Sequence, residues 1–282
     1  MCRVLDVTRS GYYAYRTRPV ARRACEDEVL AVAVTEAFLA GRGHYGAPRV
    51  QQELRKHGIR ISKRRSARLL REQGLRASKP PRRMRTTDSR HNEPIAANLL
   101  QQDFSASAPN QKWAGDITYI RTEEGWLYLA VVLDLFSRKV IGWAMSEHIN
   151  AQLTQSALLM ALVARRPSAS LVVHSDRGVQ YAAGDYRQML QDWSVTPSMS
   201  RTGNCYDNAV SESFFATLKK ELVHRRVYRG RAEAEADIFE YIEVFYNRTR
   251  LHSTIGYTTP AECEERWNHQ CCSDSALDRI SN

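Results

Sequence analysis

The sequence predicts an all-helical N-terminal domain followed by an α/β domain in which helices flank a mixed five-stranded sheet. Residues 26–73 contain three segments with apolar side chains at helical spacing, and glycines separate these segments. From residue 112 onward, three short apolar strands precede an alternation of helix, strand, helix, strand and helix. Such an alternation is typical of a sheet covered by helices.

The charge of the chain is concentrated in its first third. The 282 residues carry a formal net charge of +10, but residues 1–100 hold 22 Lys and Arg against 9 Asp and Glu, whereas residues 101–282 hold 19 against 22. A basic excess of this size indicates a polyanionic partner such as nucleic acid. A solvated basic surface without a partner is the alternative.

The composition argues against several other classes of protein. No apolar run approaches the roughly 20 residues that a membrane-spanning helix needs, and the N-terminus lacks the features of a secretory signal. The six cysteines form no Cys-x-x-Cys pair and are not spaced with histidines as zinc ligands would be. A membrane protein, a structural zinc site and a disulfide framework are therefore not expected, and a reducing cytoplasm is the natural compartment.

The N-terminal part reads as a short helical fragment over residues 1–25 and a helix–turn–helix domain over 26–77. The pattern predicts a first helix over Glu26–Ala40, a second that begins near Pro48 and stops at Gly58, and a third that Ser62 caps and that runs to Gln73. Residues 78–108 contain several prolines and arginines at their start and read as a basic linker.

The third helix is strongly basic and could lie in a major groove, with its cations on phosphates and base edges. An exposed basic helix in a helical bundle is the alternative. The candidate DNA-binding residues on this helix are Lys63, Arg64, Arg65, Arg68 and Arg71.

The second domain is predicted over residues 109–225, with a helical extension over 226–282. Its expected strands are Lys112–Arg121, Trp126–Leu135, Lys139–Met145, Leu171–His174 and Val195–Met199. Its expected helices are Ala151–Arg165, Gly184–Trp193, Asn208–Val223 and, in the extension, Ala232–Asn247, after which the chain is expected to be irregular.

Three acidic residues stand where burial would be costly without a cation. Asp116 lies inside the first apolar strand, Asp176 directly follows the fourth, and Glu212 lies one turn into the long helix. Converging carboxylates are what a two-metal phosphoryl-transfer site requires, and Mg²⁺ prefers carboxylate oxygens. These three residues are therefore candidates for the catalytic carboxylates and metal ligands of such a site. Taken singly, each could equally be a cap or a surface carboxylate.

The helix that carries Glu212 also places Lys219 on the same face, two turns further on, where an ammonium could reach a DNA phosphate. Asp134 could be a fourth metal ligand, but we favour a role at the end of its strand or in the turn that follows. Asp185 and Asp207 read as helix caps.

Other polar and aromatic residues admit two interpretations each. His174 is interpreted as a hydrogen-bonded histidine at a strand end. Arg201 and Arg250 could contact DNA or belong to a solvated face. The aromatic residues Trp113, Trp126, Tyr128 and Trp143 could be core residues or platforms on which bases stack, and the core interpretation is preferred.

Together these segments resemble a known family. Residues 113–119 (WAGDITY), 174–181 (HSDRGVQY), 200–209 (SRTGNCYDNA), 214–222 and 246–253 carry the resemblance, with 45–49 (YGAPR) in the helix–turn–helix segment. The chain resembles the DDE transposases and retroviral integrases, and most closely the second-frame product of the IS-three family of bacterial insertion sequences. The resemblance covers nearly the whole chain.

This resemblance implies an RNase H-like fold for the integrase catalytic core, and two Mg²⁺ ions, with Mn²⁺ as a substitute, held by Asp116, Asp176 and Glu212. It implies that Lys219 touches the element's end. The implied reaction is hydrolysis at a 3′ end followed by attack of the freed 3′-hydroxyl on another phosphodiester. A non-catalytic DNA-binding remnant and a purely hydrolytic nuclease of the RNase H type are the alternatives.

The resemblance also implies the partners. We expect double-stranded DNA, as terminal inverted repeats and target, a homo-oligomer assembled on that DNA, and no membrane. Family members often act as a fusion with an upstream-frame product, so we expect this chain to work with such a fusion or partner. The expected location is the bacterial cytoplasm, in association with the nucleoid.

Overall fold

The computed structural model of the chain describes residues 7–18, 21–77, 94–201 and 205–280, without the side chains of 205–206 and 272–280. The chain divides into two compact units, Met1–Ala77 and Ser78–Asn282. Residues 78–93, which hold most of the basic segment predicted as the start of a linker, lie outside the described residues. Residues 94–108 of that predicted linker are described and contain no helix or strand.

The first unit is helical, as predicted. Its helices are α1 (Arg9–Thr17), α2 (Arg22–Ala40), α3 (Ala47–Lys56) and α4 (Lys63–Glu72). The hydroxyl of Ser62 accepts a hydrogen bond from the backbone N–H of Arg65 at 3.2 Å, which confirms the predicted cap of α4. Helix α2 begins four residues earlier than predicted.

The glycine-rich segment between α2 and α3 is explained by one close approach. Tyr45 is buried, with 1 % of its surface exposed, and its ring lies against Gly41. A Cβ atom at position 41 would lie 2.2 Å from that ring. Only glycine therefore allows Tyr45 to enter the small core, whose other buried apolar members include Val34, Phe38, Val50, Leu54, Leu69 and Leu70.

The second unit contains the mixed five-stranded sheet that the sequence predicts. Its strands are β1 (Lys112–Thr122), β2 (Gly125–Asp134), β3 (Val140–Ser146), β4 (Val172–Ser175) and β5 (Thr196–Met199). They lie in the order β3-β2-β1-β4-β5, with antiparallel pairing among β1, β2 and β3 and parallel pairing of β4 with β1 and β5.

Helices cover both faces of this sheet. On one face pack α5 (Ala151–Arg165), α6 (Val179–Ala182) and α7 (Gly184–Asp192), and on the other α8 (Ala209–Glu221), α9 (Arg231–Glu240) and a π-helix over Tyr241–Tyr246. Alternation of side chains along β1 sends Trp113 and Ile117 to the α5 face and Ile120 to the α8 face. Asp116 lies an even number of residues from Ile120, so it shares the α8 face.

Three features of the second unit were not predicted. The short helix α6 follows β4 directly, and the predicted helix after residue 231 changes from α to π at Tyr241. The irregular end was wrong, because α10 extends over Pro260–Ile280. The backbone N–H of Glu262 donates to the Thr259 hydroxyl at 3.1 Å, and the Glu262 carboxylate accepts from the Thr259 N–H at 3.0 Å. This capping box was readable from the sequence.

Tertiary contacts explain why α10 is stable. The buried carboxylate of Glu264 accepts hydrogen bonds from Arg165 at 2.7 Å, Lys139 at 3.0 Å and the Ser137 hydroxyl at 2.8 Å. The ion pairs tie the start of α10 to the end of α5 and to the turn before β3. No local sequence pattern could pair residues so far apart in the chain.

A second buried ion pair holds the end of α8. The Arg250 guanidinium donates two hydrogen bonds, at 2.8 and 2.9 Å, to the carboxylate of Glu221, which also accepts from the Tyr241 hydroxyl at 2.8 Å. Burial would lower the pKa of Arg250, but the hydrogen bonds and charge of Glu221 raise it above its usual value. Both interpretations of Arg250, as a DNA contact or as part of a solvated face, were therefore wrong.

In the portion of the chain that the structure describes, no helix combines the length and apolar character that crossing a bilayer requires.

We expect Arg250→Met to destabilise the second unit by about 3–5 kcal/mol, because it leaves the Glu221 carboxylate buried without its counter-charge. All five tryptophans lie after residue 77, so their fluorescence during urea unfolding reports on this unit alone. The matched control is Arg248→Met, since Arg248 is exposed two residues away, and its effect should stay within about 0.5 kcal/mol. Equal midpoints for the two variants would contradict this account.

Candidate active site

The register of the parallel strands places Asp116 and Asp176 side by side. Ala114 of β1 pairs with His174 of β4, and each aspartate lies two residues beyond its member of that pair. The ladder itself stops at this pair, so the aspartates stand where β1 and β4 separate. Asp116 lies in the middle of β1, which continues to Thr122, and Asp176 directly follows the end of β4.

Helix α8 brings Glu212 to the same region. The buried side chains Phe214 and Leu218 fix this helix in the apolar cluster on its face of the sheet, and α8 also packs on β1. Glu212 lies in the first turn and is only partly exposed. The predicted start at Asn208 is correct to one residue, because a 3₁₀ turn over Cys205–Asn208 leads into the helix.

The electrostatics of Asp116 link the three carboxylates. Burial is the largest cause that raises its pKa well above the usual value, and the negative charges of Asp176 and Glu212 raise it further. A hydrogen bond from the backbone N–H of Ile117, at 2.8 Å, and the charge of Lys219 act in the opposite direction. The three residues predicted as a triad therefore interact electrostatically around Asp116.

These carboxylates do not form a closed metal-binding cluster. Over residues 7–18, 21–77, 94–201 and 205–280, no group of three or more His, Cys, Asp or Glu side chains is gathered closely enough to hold an ion. Asp176 instead accepts a hydrogen bond from the backbone N–H of Gly178 at 2.9 Å. Mutual repulsion of three like charges is a physical reason for carboxylates to stand apart before a cation neutralises them.

Lys219 on α8 contacts β1 at Tyr119, three residues beyond Asp116. Its ammonium is 4.4 Å from the centre of the Tyr119 ring. Burial lowers the pKa of Lys219, and the nearby charge of Asp116 counteracts this in part. The structure therefore brings Lys219 into electrostatic range of the candidate triad, as its spacing from Glu212 suggested.

A buried carboxylate at the base of the loop before α8 was not recognised from the sequence. Asp207 has no exposed surface and accepts two hydrogen bonds from the Arg201 guanidinium, each at 3.0 Å. It also accepts from Asn98 at 2.9 Å and Gln102 at 3.2 Å. The Arg201 guanidinium holds the pKa of Asp207 well below its usual range. The interpretation of Asp207 as a helix cap was wrong, because its carboxylate closes the loop instead.

His174 on β4 stabilises the start of the same loop. Its two ring nitrogens lie 2.8 Å from the hydroxyl of Ser198 and 3.2 Å from that of Ser200. Burial lowers the pKa of His174, although Asp207 partly offsets this effect. The interpretation as a hydrogen-bonded histidine at a strand end is confirmed, and the residue links the ends of β4 and β5.

Two other aspartates have structural settings. Asp134 is fully buried and accepts hydrogen bonds from the backbone N–H groups of Asn110, Phe136 and Ser137, which confirms the turn role. Asp185 does not cap α7, whose N-cap is Ala183, so that interpretation was wrong. It lies exposed in the first turn, where a negative charge suits the helix dipole.

In the first unit, the basic residues of α4 fall into two groups. The side chains of Arg65 and Arg68 both bind the carboxylate of Asp27 on α2, at 2.6 and 2.5 Å. These hydrogen bonds hold the pKa of Asp27 below its usual value. Three other candidates, Lys63, Arg64 and Arg71, are exposed. The sequence could not separate the groups, because the partner carboxylate lies on another helix.

Comparison with known proteins agrees with this architecture. The integrase core domain family matches residues 106–205 and again residues 212–266, and an HTH-like domain family matches residues 24–83. Transposase InsF for insertion sequence IS3A of Escherichia coli (strain K12) is 47% identical over 273 residues, which cover 94% of this chain and 93% of that protein.

Further relatives show the same similarity. The insertion element IS600 uncharacterized 31 kDa protein of Shigella sonnei is 45% identical over 268 residues, covering 95% of this chain and 98% of that protein. Among solved structures, the catalytic core domain of HTLV-2 integrase in complex with magnesium (dimeric form) is 15% identical, with a TM-score of 0.44, and covers 57% of this chain and 99% of that chain.

The five-stranded sheet, its integrase-core matches and the helix–turn–helix unit define an enzyme of the DDE transposase and integrase class with an RNase H-like core. Within that class, the chain belongs to the IS3 family of insertion-sequence transposases. The family and the fold class expected from the sequence motifs are confirmed.

We expect Asp207→Asn to loosen the loop that leads to Glu212, because the charge that holds Arg201 is lost. Tryptic cleavage after Arg201, followed by mass spectrometry, should become faster. DNA cleavage should slow about ten- to one-hundred-fold, the cost of displacing a catalytic group by about 1 Å. The control is Asp192→Asn, which changes an exposed aspartate whose carboxylate accepts a hydrogen bond from Gln188 on the same helix. Identical proteolysis and activity in both variants would contradict the role of Asp207.

Proposed function

We propose that this transposase cuts and rejoins DNA at the ends of its insertion sequence, with Asp116, Asp176 and Glu212 as catalytic residues that hold two Mg²⁺ ions. The observation that carries the proposal is the electrostatic setting of Asp116. This carboxylate is buried on the α8 face of the sheet, and burial together with two further carboxylates raises its pKa more than the Ile117 N–H and the charge of Lys219 lower it.

The donor set fits a hard divalent cation. Three carboxylates supply oxygen ligands of the type that Mg²⁺ prefers, and Mn²⁺ accepts the same ligands. A bound cation would remove the repulsion that raises the pKa of Asp116. Bound at this position, such ions supply activation of an attacking oxygen and stabilisation of a leaving oxygen in phosphoryl transfer.

The protein's own residues orient the carboxylates. Asp116 is fixed by its strand and by the Ile117 N–H, Asp176 by the Gly178 N–H, and Glu212 by the packing of α8. The loop closed by Arg201 and Asp207 connects β5 to that helix. Rigid placement of this kind is what positions reacting groups for an in-line displacement.

The proposed reaction has two phosphoryl-transfer steps. In the first, water attacks the phosphodiester at the element's end, a P–O bond forms as another breaks, and a 3′-hydroxyl is released. In the second, this 3′-hydroxyl attacks a different phosphodiester and displaces its 3′ oxygen, which joins the strands. Neither step requires a covalent bond to the protein.

Lys219 contributes a cation beside these carboxylates. Its ammonium lies over the Tyr119 ring and senses the charge of Asp116, so it can bind a DNA phosphate close to the reacting one. Sequence-specific binding falls to the helix–turn–helix unit. We assign DNA contact there to Lys63, Arg64 and Arg71, and an internal bracing role to Arg65 and Arg68, because Asp27 already engages the latter two.

The proposed partners are double-stranded DNA, as terminal inverted repeats and target, and further copies of the chain assembled on it. Joining two ends requires both terminal repeats to be held at the same time, which favours an oligomer on DNA. An upstream-frame product, fused or separate, is proposed as an additional partner because second-frame proteins of this family often act with one.

We expect Asp176→Asn to remove Mg²⁺-dependent cleavage and joining while binding to the element's ends is retained. The neutral amide cannot replace the carboxylate as a ligand, but the first unit is unaffected. Labelled element ends incubated with Mg²⁺ or Mn²⁺ and resolved by denaturing electrophoresis report nicked and joined products together. Hydrolysis without joined products in the wild type would favour a nuclease instead.

The matched control for this variant is Asp185→Asn, which removes an exposed carboxylate nine residues further along the chain. It should retain full activity. Wild-type turnover in Asp176→Asn would refute the assignment of this residue as a metal ligand, and loss of activity in Asp185→Asn would show that the assay responds to any loss of charge.

We expect single changes to alanine at Lys63, Arg64 or Arg71 to weaken binding to the terminal repeat. Each should also reduce the slope of log K against log[salt] by about 1, since one phosphate contact is lost. Titrations at several salt concentrations measure both quantities. Arg22→Ala is the control, because this side chain is 93% exposed on α2, where it pairs with Glu26. A slope equal to that of the control would contradict the assignment.

A further inference from the structure

A strip beside the candidate active site, exposed at Arg121 and Trp126 and half-buried at Tyr119 and Lys219, combines two aromatic rings with two cations. The strip consists of Tyr119 and Arg121 on β1, Trp126 on β2 and Lys219 on α8. Arg121 and Trp126 are direct cross-strand partners, and Tyr119 lies two residues before Arg121, so all three side chains share one face of the sheet. Lys219 reaches Tyr119 from the helix, 4.4 Å from its ring centre.

The side chains of Asp116 and Tyr119, three residues apart on β1, leave opposite faces of the sheet. Lys219, which is two turns from Glu212 on α8, connects the strip to the carboxylates, because its ammonium lies over the Tyr119 ring. Asp116 and Lys219 influence each other's charge. A strand of nucleic acid bound at the carboxylates would therefore pass Lys219 and Tyr119 before it reached Trp126.

Trp126 is exposed although the next residue on β2 is buried. It has 44% of its surface exposed, whereas Leu127 has none. Its ring stands edge-on to Tyr119, with centres 5.0 Å apart and planes at 85°. The Arg231 guanidinium donates to the Trp126 carbonyl at 3.2 Å, which holds the backbone in place. The interpretation of Trp126 as core was therefore wrong, and the ring is a pre-positioned, accessible surface.

We propose that this strip binds unpaired nucleotides of the DNA strand next to the scissile phosphate. Trp126 stacks on a base, Tyr119 supports the tryptophan ring from its edge, and Arg121 and Lys219 bind the flanking phosphates. Alternation of aromatic rings and cations is how proteins hold single strands, because each base has a π-face and each nucleotide a charge. The proposal rests on the proposed function, since it places the strip on the path of the reacting strand.

The chemistry favours unpaired nucleotides over two other occupants. In an intact duplex, neighbouring bases cover the faces that Trp126 would need, so a duplex would contact only the cations. A second copy of the chain would bury Trp126 against apolar surface, which does not explain cations on both sides of the rings. Charge complementarity therefore points to an opened end of the DNA.

The test compares two DNA probes with the same element-end sequence, one fully paired and one with several unpaired nucleotides at the end. The full-length protein is used with Ca²⁺, so that affinity is measured without requiring turnover. We expect the wild type to prefer the forked probe. Trp126→Ala should reduce the fork-to-paired affinity ratio about 5- to 150-fold, the effect of losing one base–aromatic stack, with little change for the paired probe.

Two further variants separate stacking from a general loss of structure. Trp126→Phe retains a ring and should recover most of the preference for the forked probe. Trp193→Ala removes another exposed tryptophan, 37% exposed at the end of α7, and should leave the preference unchanged. A 2-aminopurine base at the unpaired position should be quenched by the wild type and not by Trp126→Ala.

An unchanged ratio in Trp126→Ala, with unchanged quenching, would overturn the proposal. The proposal would also be overturned if Trp126→Ala lost self-association, measured by light scattering, but kept its preference for the forked probe. Trp126 would then contact another copy of the chain and not a base. Because neither readout requires cleavage, a failure here is distinguishable from failure of the metal-dependent reaction. Loss of activity in Asp176→Asn with an intact preference for the forked probe would support both assignments.

Discussion

The arrangement of the second unit depends on one unfavourable interaction, the burial of the Asp116 charge near two other negative charges. Burial and like-charge repulsion both favour the protonated form, and the protein offers little to offset them. The other acidic side chains buried in this unit are treated differently, because each has donors that compensate its charge. Those side chains are Asp134 with three backbone N–H groups, Asp207 with Arg201, Glu221 with Arg250 and Glu264 with Arg165 and Lys139.

Two of the carboxylates that have donors, Glu221 and Asp207, hold the helix beside Asp116 in place. Glu221 fixes the C-terminal end of α8, whereas Asp207 fixes the loop that precedes the helix. The helix that carries Glu212 and Lys219 is therefore held at both ends by ion pairs whose partners lie in other elements. The ion pairs stabilise the elements around the site, whereas the site itself retains the unfavourable charge that a cation would relieve.

The two units differ in the sign of the charges that they present. The first unit presents exposed cations on α4 and uses Asp27 to hold two further arginines in its own fold. The second unit concentrates carboxylates where β1 and β4 separate, and two of its cations, Lys219 and Arg121, lie beside that region. A polyanion can thus be attracted by basic surfaces while its reacting phosphate lies beside acidic side chains.

The sequence by itself determined the order and type of most elements, since apolar periodicity, glycines and caps act between residues close in the chain. It also singled out Asp116, Asp176 and Glu212, because carboxylates inside apolar segments are chemically conspicuous. Only the tertiary structure decided which charges compensate each other: Arg250 is buried against Glu221, and Arg65 and Arg68 bind Asp27. It also left Trp126 exposed. Such outcomes depend on which distant segments meet, and local patterns carry no information about that.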